Sequence, residues 1–285
     1  MSSSFTVLPM SQRFYLEPGK TYTESLSITN PADASEDFVY NVSVSPYSVT
    51  GEGYAADLAT MTNQTEITKW IKVLEPSGRV KPNESKEIKF TITVPENAPA
   101  GGQYATIAVS SSGNNASTGG VAVENVFELA SLVYATVAGE TVYGGEIIEN
   151  SVPAFATSVP ITLSALISNT GNLHEDATFL ISVSNAFTGE VILPTEENDG
   201  RFNELIMPET TREVKRAVDD LPALGVVTVS QKIYYRGELS EVTRNIIICP
   251  IWFMILVCLT LCAIITTIVG IVLKHKKKKR RLKEI

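Results

Sequence analysis

A chain of 285 residues, 44% of them hydrophobic, is long enough for two domains of ordinary size, each burying its own core. Its net charge of −8 conceals a segregation: eight Lys or Arg and one acid lie from Lys274 onward, which leaves 15 basic and 30 acidic residues on positions 1–273. So acidic a body excludes nucleic acid as its partner, because neutralising phosphates takes clustered Lys and Arg.

Along the body the dominant period is two, the signature of half-buried strands. A first strand-like stretch, Phe5-Thr6-Val7-Leu8-Pro9, and the turn Pro18-Gly19 lead into a strand ending at Asn30. Phe38, Tyr40, Val42 and Val44 alternate with Val39, Asn41 and Ser43; Ile88, Phe90, Ile92 and Val94 alternate with Lys89, Thr91 and Thr93. Gly101-Gly102 opens an apolar strand after Pro99, and residues 110–120, small and polar throughout, read as a long hairpin loop. In the second half Ile161, Leu163, Ala165 and Ile167 alternate mostly with Thr162, Ser164 and Ser168, and Phe179, Ile181 and Val183 follow suit. Asn30-Pro31, Pro76-Ser77-Gly78, Pro82-Asn83, Asn169-Thr170-Gly171 and Asn198-Asp199-Gly200 punctuate these runs as turns. With no convincing amphipathic helix between them, the expected fold is all-β: two tandem immunoglobulin-like antiparallel β-sandwich domains, residues 1–138 and 139–245. The boundary falls near Ala138-Gly139-Glu140, before the turn-prone Tyr143-Gly144-Gly145.

A weak internal repeat supports tandem copies of one module. Residues 80–90 match residues 206–216 at an offset of 126, and Pro99-Ala100 followed by Gly102 recurs as Pro222-Ala223 followed by Gly225. An apolar strand ending in Asn before a turn also occurs twice, at Asn30 and at Asn169.

Residues 246–273 carry no charge over 28 positions, more than the roughly 20 needed to cross a bilayer. This predicts a single transmembrane helix, with Pro250 near its start and Trp252 in the interfacial aromatic belt. The basic tail, 274–285, directly follows, which places the C-terminus in the cytoplasm and the body outside the cell, with the lipid bilayer as a partner through residues 246–273. An exported body normally follows a signal peptide. Met1-Ser2-Ser3-Ser4-Phe5 shows none, which implies that a leader lies upstream of this sequence or was removed from it.

Chemistry-bearing residues are sparse. The three cysteines, Cys249, Cys258 and Cys262, all fall in the predicted span, so the body has no disulfides and no thiol nucleophile. The body's one histidine, His174, sits in the turn Thr170-Gly171-Asn172-Leu173-His174 and reads as a solvated turn residue. No His or Cys pair has metal-ligand spacing, and Glu196-Glu197-Asn198-Asp199-Gly200 matches no Ca²⁺ ligand pattern and reads as an exposed turn. Acids are plentiful, but nothing singles out a catalytic pair. Four Asn-x-Ser/Thr sequons, at Asn41, Asn63, Asn83 and Asn115, are what chance gives in a chain rich in these residues. No catalytic, cofactor-binding or metal-binding residues are therefore assigned, and no cofactor is expected.

The opening Phe5-Thr6-Val7-Leu8-Pro9, then Leu16-Glu17-Pro18-Gly19, then a strand ending at Asn30, resembles that of the WxL-interacting cell-surface proteins of Gram-positive bacteria. Pro99-Ala100-Gly101-Gly102-Gln103-Tyr104 resembles the Gly-Gly that begins a late strand there, whereas residues 47–70 match nothing in that family. The resemblance implies two immunoglobulin-like domains, a C-terminal span and a short basic tail, with peptidoglycan bound by the first domain and partner surface proteins by the second. The expected function is accordingly non-enzymatic: a membrane-anchored cell-surface scaffold or adhesion protein binding cell-wall polymer or another surface protein. Two alternatives are a membrane-tethered hydrolase of envelope glycans and a subunit of an envelope complex whose span pairs with other helices.

Overall fold

The computed structural model describes residues 5–111, 127–193 and 200–281, with side chains as far as Lys274. Two compact units emerge: Met1–Glu146 with Ile167–Asp176 and Leu205–Glu213, and Ile147–Leu166 with Ala177–Glu204 and Val214–Ile285.

The first eleven strands are β1 (Thr6–Leu8), β2 (Ser11–Leu16), β3 (Thr21–Asn30), β4 (Phe38–Pro46), β5 (Ser48–Thr50), β6 (Ala55–Asp57), β7 (Ile71–Val73), β8 (Ser77–Val80), β9 (Glu84–Thr93), β10 (Gly101–Ser111) and β11 (Glu128–Val137), with a 3₁₀ turn at Glu66–Lys69. They form two sheets, in the orders β1-β3-β9-β7 and β2-β11-β10-β4-β8, and a small β5-β6 hairpin. The period-two alternation sets which side chains face inward. Leu26, Ile28, Ile88, Phe90 and Ile92 from one sheet meet Tyr40, Val42, Ala105, Ile107 and Val133 from the other. Burying each such side chain contributes about 1.5–3 kcal/mol, so a one-residue slip that turned them outward is strongly disfavoured.

Strand β10 departs from simple alternation, since every residue from Gly101 to Val109 is buried. At the start of the strand one cause is the stretch 47–70, which bonds to residues 103 and 104. Tyr104 N donates to Gln64 O at 2.7 Å, while the buried Gln103 accepts from Ile67 N at 3.1 Å and donates to Asn63 O at 2.6 Å.

The remaining strands are β12 (Gly145–Ser151), β13 (Phe155–Ala156), β14 (Ile161–Asn169), β15 (Glu175–Asn185), β16 (Val191–Leu193), β17 (Arg201–Ile206), β18 (Thr210–Val218), β19 (Gly225–Tyr235) and β20 (Glu238–Ile248). One sheet has the order β12-β14-β18; the other runs β13-β20-β19-β15-β16, with β17 also on β15. Ile161, Leu163 and Val218 pack against Ile181, Val183, Val227, Val229 and Ile246 between them.

The repeat in the sequence is a repeat of topology. The orders β1-β3-β9 and β12-β14-β18 correspond, as do β2-β11-β10-β4 and β13-β20-β19-β15. Each half contains one parallel pair, β2 beside β11 and β13 beside β20. The offset of 126 is kept at atomic detail. Asn30 donates to Val80 O and Asn169 to Ile206 O, at 3.0 and 3.1 Å, and the turns after these carbonyls place Asn83 and Glu209 at φ of 63° and 56°.

The chain is thus mostly β-sheet with one C-terminal helix, α1 (Ile251–Arg281). The charge-free run begins before this helix. Ile246 and Ile248 are fully buried members of β20, and hydrophobicity alone does not separate the end of a buried strand from the start of a span. Pro250 marks the change, its carbonyl accepting from Phe253 N and Met254 N. Ile251–Lys274 is long and apolar enough to cross a membrane by length and composition.

Candidate functional site

Within the first unit an aromatic and charged cluster gathers on β2, β10 and β11. Gly101, at φ 109°, and Gly102 bring the backbone close to the turn that ends β14: Gly102 N donates to Asn172 O at 2.7 Å. A Cβ on Gly101 would meet Asn172 O at 2.6 Å, and one on Gly102 would meet Tyr104 Oη at 1.9 Å. Tyr104, fully buried, accepts from His174 N at 3.1 Å. Its hydroxyl therefore has its proton free for His174 Nδ1, also at 3.1 Å. Tyr134 stands 5.6 Å from the His174 ring and 6.0 Å from the Tyr104 ring, so the three rings form a triangle. Nearby, Arg13 donates to both carboxylate oxygens of Asp176 at 2.9 and 3.1 Å.

His174 is therefore not a solvated turn residue. Its ring is packed against two tyrosines because the glycine pair lets the turn approach β10. Burial lowers its pKa, Arg13 lowers it further, and Asp176 opposes both. Burial also raises the pKa of Tyr104 and of Tyr134 well above the ordinary tyrosine value. In this arrangement the histidine serves packing and hydrogen bonding.

A second contact in this unit is made by Tyr54, whose hydroxyl meets Thr210 Oγ1 and accepts from Met207 N at 2.9 Å. Arg212 lies over its ring at 4.7 Å. Between these contacts opens a cavity of about 510 Å³, lined by Thr50, Asp57, Thr60, Asn63, Gln64 and Glu209 among others. The Asp57 carboxylate accepts from Ala59 N and Thr60 N, and those bonds, with the Thr60 side chain first, lower its pKa. It is thus occupied in holding its own turn. No group of three or more His, Cys, Asp or Glu that could hold a metal occurs among the described residues.

The edge of β11 offers a different kind of site. Strand β10 pairs with β11 from Glu128 to Val137, whereas β2 pairs with it only from Leu132 to Val137. The cause lies at Pro9, where the chain crosses from β1 in one sheet to β2 in the other. Leu132 N donates to Met10 O on the β2 side, so by strand alternation Glu128 and Ala130 turn their backbone groups to that same side. Among the described residues no strand pairs with them there. Phe127, Leu129 and Met10 are 48%, 42% and 73% exposed beside this edge, and Leu129 continues the inward row of Val133, Ala135 and Val137.

Of the other sequence features, most of the loop 110–120, the acidic stretch 196–199 and Asn115 lie outside the described residues. Asn63 and Asn83 hold turns through their backbone. The edge was missed because the signal is not a residue type but a difference between two pairing lengths.

No family model matches the chain, and no curated protein matches it. Chaperones, one of them of class 5 fimbriae and one in complex with a pilin, are among the solved structures that match. The class 5 fimbriae chaperone CfaA is 13% identical, with 85% of this chain and 99% of that one covered at a TM-score of 0.41. The E. coli chaperone DraB is 16% identical, with 85% and 97% covered at a TM-score of 0.37. The Salmonella enterica SafB chaperone, in complex with the SafA pilin, gives 12% identity, 87% and 97% coverage and a TM-score of 0.39.

These matches correct the expected resemblance to WxL-interacting proteins. The residues that carried it serve the sheets themselves: Phe5 and Val7 fill the core, Gly19 takes φ 76° in a turn, and Asn30 closes a strand end. Such features are required of a sandwich whatever it binds. The functions attached to the resemblance fall with it: the surface scaffold or adhesion protein, the envelope glycan hydrolase and the envelope-complex subunit. So do the partners named for it, peptidoglycan and a surface protein, and the bilayer contact through residues 246–273 is corrected as well, because Ile246 and Ile248 are buried members of β20.

Proposed function

We propose that this chain is a non-catalytic binding protein that takes an extended segment of a partner polypeptide along the open edge of β11. The observation that carries this reading is the stretch 128–130, which no strand among the described residues pairs on the β2 side, with outward backbone groups and exposed apolar side chains on either side. An added strand gains main-chain hydrogen bonds from the edge and specificity from alternate side chains. Left bare, such an edge invites unwanted pairing.

The same reading takes each sheet pair as an immunoglobulin-like module, residues 1–138 and 139–245; the duplicated strand order supports it. It also takes Ile251–Lys274 as an anchor, with the basic end in the cytoplasm and the sheets outside; the length of the helix and the run of Lys and Arg after it support this.

The test is a titration of a labelled peptide alternating valine and threonine into the detergent-solubilised full chain and its Ala130→Pro variant. Proline removes an outward N–H while leaving the pairing with β10 intact. Saturable binding that weakens by about tenfold or more in the variant is expected, a loss of about 1.4 kcal/mol. Equal binding by both proteins refutes the edge as the site.

A further inference from the structure

We infer that His174 makes the seating of the segment Ile167–Asp176 within the first unit dependent on pH: the neutral imidazole holds the segment down and the protonated one releases it. The segment is fastened mainly by neutral groups. Gly102 N reaches Asn172 O at 2.7 Å, Asn172 N reaches Val142 O at 3.0 Å, and the Asn172 side chain bonds Val142 N and Glu140 O at 2.9 and 3.0 Å.

At its end, Tyr104 and His174 exchange two bonds. The backbone N–H of His174 donates to the tyrosine oxygen, and in the neutral tautomer that carries its proton on Nε2 the tyrosine hydroxyl donates to Nδ1. A proton on Nδ1 abolishes that acceptor and leaves two donors facing one hydroxyl. The new charge also lies in a poor place. From β10 it faces Tyr104, from β11 Tyr134, and from β2 the like-charged Arg13. Asp176, the one acid among these groups, is committed to Arg13 through both of its oxygens. A half-buried cation without a free counter-charge is relieved by moving out to water, and here that means lifting the turn away from Gly102.

Burial of the ring and the neighbouring Arg13 both lower its pKa, in keeping with this sense. The device is independent of the edge of β11, and its test does not involve peptide.

The experiment is amide hydrogen exchange of residues 170–174 in the detergent-solubilised full chain at about pH 7.5 and about pH 5, corrected for the intrinsic pH dependence of exchange, beside His174→Gln and an NMR titration of the His174 ring. We expect opening to become about tenfold more frequent at the lower pH in the native chain, and unchanged with pH in His174→Gln, whose amide oxygen accepts at either pH. The same pH response in His174→Gln overturns the inference. So does a native ring that titrates at or above the ordinary histidine value while the amides stay protected, a readout that decides the matter even where the variant does not fold.

Discussion

Asn30 and Asn169 make the same bonds at equivalent places: each buried amide donates to two carbonyls, those of Glu36 and Val80 in one case and of Leu173 and Ile206 in the other. Each ends a core strand, and each ties that end to the start of the turn that leads to the next strand of its sheet. A carboxylate has the size of the amide but nothing to donate, and it would be buried facing two carbonyl oxygens. Leaving buried acceptors unpaired costs about 1–3 kcal/mol. Asn30→Asp and Asn169→Asp should therefore each lower the unfolding free energy by about 2 kcal/mol or more in urea titrations. An unchanged midpoint in either would remove that asparagine from the account of the fold.

Gly102→Ala should be costly although the side chain added is one methyl group. The Cβ would fall on Tyr104 Oη, and Tyr104 is itself buried against Tyr134 and His174, so the ring has nowhere to go without giving up its hydroxyl bonds. Overpacking of this kind costs about 1–3 kcal/mol. Adding Tyr104→Phe to Gly102→Ala removes the nearest of the atoms in the way and leaves the ring carbon Cζ at 2.6 Å. The double variant should thus lose less stability than the two single changes together, by about 1 kcal/mol in a double-mutant cycle. Additivity would show that the two sites do not meet.

Most of the strands were legible in the sequence because their side chains obey a period of two that only a half-buried strand imposes: Ile88, Phe90 and Ile92 face inward as that period requires. The repeat was legible for a similar reason, since Asn30 and Asn169 and the residues at 80 and 206 hold equivalent bonds. The cluster around His174 was not. A histidine in a polar turn carries no mark of burial, and what buries it is a glycine pair some 70 residues earlier that read as a plain strand start. Residues 47–70 escaped because their order comes from single hydrogen bonds to Gln103 and Tyr104 rather than from periodicity. The start of the helix was blurred for want of any charge to separate Ile248 from Ile251.

The ion pair of Arg13 and Asp176 has good geometry but little expected weight. Its side chains are 57% and 38% exposed, where water and salt screen the attraction and an isolated pair contributes at most about 1 kcal/mol. Arg13→Gln should shift the urea midpoint far less than Asn30→Asp does, and the difference from the native chain should shrink between low and high salt. A loss comparable to that of Asn30→Asp, insensitive to salt, would show that Arg13 acts through packing of its stem on Tyr134 rather than through charge.

Buried Tyr104, half-buried Tyr134 and His174 together shape stability on both sides of neutrality. Burial holds the phenols of Tyr104 and Tyr134 above the ordinary value of 10, so in the unfolded chain they lose protons that the folded chain keeps. Their contribution is whole below about pH 10 and falls as the pH rises past it. His174 has the opposite limb: its pKa is lowered from 6.5, so the unfolded chain takes up the proton first, and the stability its neutral form contributes is present above that value and is lost as the pH falls through it. The urea midpoint should accordingly be flat between about pH 7 and 9 and fall on either side. Tyr104→Phe should flatten the alkaline limb and His174→Gln the acid one. Ultraviolet difference titration gives the direct check, because Tyr104 and Tyr134 should contribute tyrosinate absorbance only as the chain unfolds. A phenol that disappears from the titration in Tyr104→Phe and ionises near pH 10 in the folded native chain would show that its burial does not penalise the charged form.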